Sequence, residues 1–228
     1  MSGAVDPIYV AARATLLDAL QALEGHRASI ILVGAQAIYL HTGDVDVAVA
    51  AYTTDGDLAL DPRMLGRQPA LEAAMKAGGF ALKIDQVGIW TGARTVAENL
   101  VTVDLLVPES LGGGVTRGAR LAGHDPKAAR NVRGLEGCLV EKSRFTIAAL
   151  ETSDQRSFEL EVAGPAALLV SKCHKLAERT TSPGRLPRRA LTICSHFLDA
   201  PASRAATSPR RRRLVWKTKR RFDSPARR

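Results

Sequence analysis

The positive charge of this chain is confined to one end, which limits how much of it can fold as a unit. Of its 228 residues, positions 1–178 hold 17 Lys and Arg against 21 Asp and Glu. Positions 179–228 hold 15 Lys and Arg against two acids, Asp199 and Asp223. The formal charge of +9 therefore comes wholly from the last fifty residues. That segment ends in SPRRRRLVWKTKRRFDSPARR and cannot bury enough apolar surface to fold alone. We expect a folded domain at residues 1–184, followed by a basic Arg/Pro/Ser-rich tail at 185–228 that is disordered. The domain is long enough to bury a core without cross-links. Only 4% of the chain is aromatic, so that core must come from Ala, Val, Leu and Ile.

Three scattered cysteines (Cys138, Cys173 and Cys194) make an odd count and exclude a disulfide framework. They point to a reducing compartment, and no CxxC pair suggests structural zinc. The longest nearly apolar run, Ala28 to Leu40, is too short for a membrane helix and contains Gly34 and Gln36. The first twenty residues lack the basic-then-apolar order of a signal peptide. A cytoplasmic location without membrane contact is expected.

Apolar spacing of period 3.6 predicts a helix over 6–25. Ile30–Val33 reads as a buried strand stopped by Gly34, and Ala35–Leu40 as a helix. Val45–Ala50 and Tyr52–Leu60 read as extended, Leu71–Lys76 as a helix, and Phe80–Trp90 as strand, turn and strand. Leu100–Val107 (LVTVDLLV) is a buried strand bounded by Pro108. Residues 136–162 suggest two or three antiparallel strands, and Pro165 opens a helix through Arg179. This order predicts an α/β (α+β) fold, a small mixed sheet flanked by helices.

The strongest chemical signal is Thr53-Thr54-Asp55-Gly56-Asp57. On an extended backbone Asp55 and Asp57 share a face, and two adjacent carboxylates repel unless a cation or proton sits between them. A hard divalent ion such as Mg²⁺ suits them. Asp104 interrupts the apolar run Leu100–Val107, where an acid is costly unless it is paired or coordinates a metal. Were the two strands adjacent, three carboxylates would converge, enough to hold two Mg²⁺ ions for phosphoryl or nucleotidyl transfer. A calcium loop fits worse, because Gly56 comes too early and Ala59 replaces an acid. Gly34-Ala35 at a strand-to-helix junction offers small residues and free N–H groups to a phosphate.

The segments VGAQAIYLHTG (33–43), TTDGDLAL (53–60), VTVDLLVP (101–108) and GPAALLVSKCHKLAER (164–179) together resemble the nucleotidyltransferase-like superfamily, with its polymerase-beta-like fold. More narrowly they look like the AbiEii/MenT-type toxin nucleotidyltransferases. The resemblance implies that Gly34 and Ala35 hold a nucleoside triphosphate, with Thr53 beside them. It implies that Asp55, Asp57 and Asp104 are catalytic metal ligands, with Asp104 at the metal that activates the attacking hydroxyl. Lys172, or less well Lys175, would contact the phosphates. The implied activity moves a nucleoside monophosphate from an NTP to an acceptor with Mg²⁺. The implied setting is a toxin–antitoxin pair, with tRNA 3′ ends as acceptor and a cognate antitoxin protein as partner.

Two departures stand out. Ala35 replaces the usual Gly or Ser, and no acid occurs between Glu178 and Asp199, where the family places another site carboxylate. The abrupt turn to Arg/Pro/Ser after about Arg185 is what an out-of-frame reading of GC-rich DNA produces, which predicts an altered C-terminus and an impaired enzyme. One alternative is therefore a catalytically degenerate relative that binds nucleotide or a partner protein. Another is a basic nucleic-acid-binding protein working through Arg210–Arg213, Trp216 and Lys217–Arg221. His41, His124, His174 and His196 lack triad-like partners and read as core or surface residues, and Cys173 reads as a packing residue.

Overall fold

A computed structural model describes residues 6–42, 53–96, 99–114 and 116–180. The expected strand Val45–Ala50 and the basic segment 185–228 lie outside the described residues.

Asp6 and Pro7 start the first helix, α1 (Pro7–Ala22). The Asp6 carboxylate accepts the Ile8 N–H at 2.7 Å, and Pro7 sits at a helix start, where its missing N–H costs nothing. Leu16, Leu17 and Leu20 of α1 and the following Leu23 are fully buried against the sheet. A 3-10 turn (Glu24–Ser29) leads into β1 (Ile30–Val33), whose four residues are all buried. Gly34 ends the strand and opens α2 (Gly34–Thr42). Then follow β2 (Asp55–Leu60), α3 (Leu71–Ala77), β3 (Ala81–Leu82), β4 (Ile89–Val96) and β5 (Asn99–Pro108). The chain continues through β6 (Arg130–Val132), a second 3-10 turn (Glu136–Leu139), β7 (Lys142–Ala148), β8 (Ser157–Ala163) and α4 (Pro165–Thr180).

The strands form one mixed sheet in the order β3-β4-β5-β2-β1-β8-β7, with β6 also paired to β5. β2 and β5 run parallel, as do β1 and β8, and β5 and β6. The remaining pairs are antiparallel. Helix α1 packs on β5, β4 and β2, while α2 packs on β2 and β1. The fold is thus the mixed α/β sheet flanked by helices that the apolar pattern predicts. Its core holds Ile30, Ile31, Leu32, Leu58, Leu60, Val103, Leu105 and Val107, each worth roughly 1.5–3 kcal/mol when buried.

The antiparallel strands expected within 136–162 are β7 and β8, preceded by the 3-10 turn. Two local features differ from the sequence reading. β6 has no counterpart in it. Cys173 is exposed among the described residues and is not a packing residue, because α4 turns Ala167 and Leu168 inward and carries Cys173 off that face. No described helix is long and apolar enough to cross a membrane.

The segment between β5 and β6 is held in place by two side chains. Buried Trp90 donates its indole N–H to the Ala128 carbonyl at 2.9 Å. Asn131 Nδ2 donates to the carbonyls of Gly114, Thr116 and Gly118 at 3.2, 2.9 and 3.2 Å. Helix α4 is fixed at its start by Glu141, whose carboxylate accepts the N–H groups of Ala166 (3.3 Å) and Ala167 (2.5 Å).

Candidate functional site

The parallel register of β2 and β5 places Asp57 directly opposite Asp104, with Leu58 opposite Leu105 and Asp55 opposite Thr102. Asp55 lies two residues before Asp57 on the same face. The carboxylates of Asp55, Asp57 and Asp104 each offer an oxygen within 4.8 Å of the others. The three acids therefore converge, and such a cluster can hold a metal ion.

The electrostatics follow from this crowding. Burial pushes the Asp104 carboxyl up to about 7, Asp57 and Asp55 add to the rise, and Arg130 and Lys175 oppose it. The Asp57 carboxyl is also held above its ordinary value, first by burial and then by Asp55, with Lys175, Lys172 and Arg130 pulling the other way. Arg130 Nη2 donates to Asp104 Oδ2 at 2.5 Å, an ion pair largely shielded from water. The Thr53 hydroxyl donates to Asp55 Oδ1, which orients that carboxylate.

Above the acids lies a cleft of about 240 Å³. Gly34 and Asp57 form part of its floor. Its cationic wall is made of Arg117, Arg130, Arg133, Lys172 and Lys175. Lys172 and Lys175 sit three residues apart on α4, so both reach the same side, and the capping of α4 by Glu141 sets their position. Arg130 and Arg133 arrive on and just after β6, and Arg117 on the loop that Asn131 ties down. Arg133 also pairs with Glu109 at 2.8 Å.

Gly34 meets two requirements at once. Its φ is 72°, a conformation that L side chains seldom adopt, and a Cβ there would run into the Asp57 carboxylate. The helix start can approach the acids only because this residue has no side chain.

The structure therefore brings Gly34, Asp55, Asp57, Asp104 and Lys172 to one place. Ala35 follows Gly34 in the first turn of α2 but does not line the cleft, and Thr53 acts through Asp55. Lys175 lines the cleft with Lys172 and weighs more on Asp57. The sequence reading missed Arg117, Arg130, Asn131, Arg133 and Ser171. The only signal for them was a cluster of Arg around a short RNV strand. Two of the histidines fill structural roles: His41 Nε2 meets the Ala163 carbonyl at 2.8 Å, and His124 links Gly66 and Leu71, while His174 lies exposed on α4. Comparison of the chain with protein-family models, curated proteins and solved structures finds no match.

Proposed function

We propose that the protein is a Mg²⁺-dependent nucleotidyltransferase, acting from this cleft. One observation carries the reading: three carboxylates converge, and one of them, Asp57, opens into a cleft lined by Arg117, Arg130, Arg133, Lys172 and Lys175. Carboxylates of this kind suit a hard divalent cation, and the Lys and Arg groups above them suit a polyphosphate. A metal–nucleoside triphosphate complex presents both faces to such a cleft.

In this reading Asp55, Asp57 and Asp104 hold Mg²⁺, the donor set being all oxygen. When bound, the ion neutralises phosphate charge and lowers the pKa of the attacking hydroxyl. Gly34 lets the start of α2 approach the triphosphate. Lys172, Lys175, Arg130 and Arg133 neutralise and orient the β- and γ-phosphates, and Thr53 keeps the Asp55 carboxylate aimed. The acceptor hydroxyl gives up its proton to solvent, its oxygen bonds to the α-phosphorus, the bond from that phosphorus to the bridging oxygen of the β-phosphate breaks, and pyrophosphate leaves. Positioning and charge neutralisation carry most of such a reaction. A cytoplasmic toxin of a toxin–antitoxin pair, with tRNA 3′ ends as acceptor, is the setting implied by the resemblance of the four motif segments.

A second reading, a catalytically degenerate nucleotide-binding protein, is favoured by the Arg130–Asp104 ion pair. A guanidinium already supplies Asp104 with a positive partner without any metal.

Transfer of label from each of the four α-³²P NTPs to total tRNA, with Mg²⁺, separates the two. The first reading expects label from one or two nucleotides that disappears in the Asp55→Ala/Asp57→Ala variant. No transfer, together with no pyrophosphate release on other acceptors, would overturn it in favour of the second.

A further inference from the structure

One of the three acids has a support that no strand supplies. In the antiparallel pairing of β1 with β2, Val33 faces Asp57. Two residues further on, position 35 would face Asp55, but the chain has already turned into α2 at Gly34. The Gln36 side chain takes over at that point. Its Nε2 donates to the Asp55 carbonyl and to the Ala12 carbonyl, each at 3.3 Å. Its Oε1 accepts from Arg13 Nε at 2.9 Å. Arg13 donates onward to the Tyr9 hydroxyl at 2.7 Å and to the Ala148 carbonyl at 3.1 Å.

Gln36 and Arg13 are 1% and 3% exposed. Burying an amide and a guanidinium costs free energy unless their bonds are made, and here they are spent on backbone groups and on one another. Gly56 lies beside the arrangement: a Cβ there would press on Leu16 Cδ1 at 3.2 Å but would meet Gln36 Nε2 only at an ordinary 3.7 Å. Gln36 also lies two residues after Gly34, so the same helical turn touches the cleft at one position and the Asp55 backbone at the other.

We propose that Gln36, oriented by Arg13, is a positioning residue for the Asp55 carboxylate. It fixes the backbone at the end of β2 that β1 leaves uncovered, and so fixes the direction in which the carboxylate leaves the strand. Gln36 itself touches neither metal nor substrate. The inference rests on reading the acid cluster as a divalent-cation site.

The test is calorimetric titration of the full chain with Mn²⁺ alone, comparing wild type, Gln36→Met, Gln36→Asn and Tyr9→Phe, each first checked for cooperative thermal unfolding. Gln36→Met keeps the length but loses the amide, and Gln36→Asn keeps the amide but is too short to span Arg13 and Asp55. Tyr9→Phe removes a hydrogen bond from the same buried Arg13 on the side away from Asp55. Loss of a group that orients a metal ligand commonly weakens binding about tenfold or more, and that is expected for whichever Gln36 variant folds. Tyr9→Phe is expected to leave Mn²⁺ affinity unchanged. Unchanged affinity in a folded Gln36 variant, or an equal loss in Tyr9→Phe, would overturn the positioning role alone. No Mn²⁺ binding by the wild type would overturn the metal-site reading and this inference with it.

Discussion

Replacing Asp104 by Asn should alter how stability depends on pH. Asp104 is 5% exposed, and its carboxyl is pushed from an ordinary 3.8 up to about 7, chiefly by burial and by Asp57. A raised carboxyl pKa means that the folded protein holds a proton the unfolded chain has already released. Its contribution to stability is thus fully present below the unfolded value and is lost as pH rises through the folded one. A rise of about three units corresponds to about 4 kcal/mol at about 1.4 kcal/mol per unit, of which about 3 kcal/mol falls between pH 5 and pH 8. Position 104 cannot titrate in the Asn variant, so the wild type should lose more stability than the variant over that span, by up to about 3 kcal/mol. Urea unfolding of both proteins in EDTA at several pH values measures this difference, and groups remote from the cluster cancel. The Arg130 ion pair forms only as Asp104 ionises, so its pull is already contained in that raised value. Divalent cation should stabilise the wild type most at the alkaline end, where the carboxylates are ionised. A difference between wild type and variant that stays flat from pH 5 to pH 8 would refute the argument that crowding and burial govern this site.

Gly34→Ala, measured by urea unfolding, should destabilise the protein by at least about 1 kcal/mol, because the left-handed φ and the Asp57 carboxylate both reject a Cβ. The same variant should lose nucleotide binding in equilibrium dialysis. Lys172→Met and Lys175→Met should each weaken triphosphate binding about fivefold or more at low salt, less at high salt, with stability nearly unchanged. Fluorescence titration at two ionic strengths reads this. Leu16→Ala, at a fully buried position on α1, should cost about 2–5 kcal/mol in chemical denaturation, because a cavity opens beneath the sheet.

The parts of the fold that could be read from the amino acids are those with local cues. Ile30–Val33 and Leu100–Val107 are short apolar runs closed by Gly34 and Pro108, so length and boundary identify them as buried strands. Asp55 and Asp57 share a face by simple alternation. That Asp104 joins them depends on β2 and β5 being neighbours in register, which no local pattern states. β6 is harder still. Its three residues show no apolar alternation, and they count as a strand through parallel pairing with β5, a long-range contact. The arginines it delivers were invisible for the same reason. Gln36 sits in an apolar run, AQAIYL, where it reads as one polar residue of a helix. Its meaning comes from β1 ending two residues short of a partner for Asp55, a fact of tertiary pairing.

The lysines on α4 have a consequence for the order in which the protein is made. A ribosome releases Asp55, Asp57 and Asp104 well before Lys172 and Lys175 emerge. β8, which pairs with β1 and leads directly into α4, also emerges late. Until then the nascent sheet would bring together like charges without part of their counter-charge and would leave one side of β1 unpaired. Helix α4 would therefore act as an electrostatic keystone, supplying the remaining counter-charge to the acid cluster when the last part of the described fold docks.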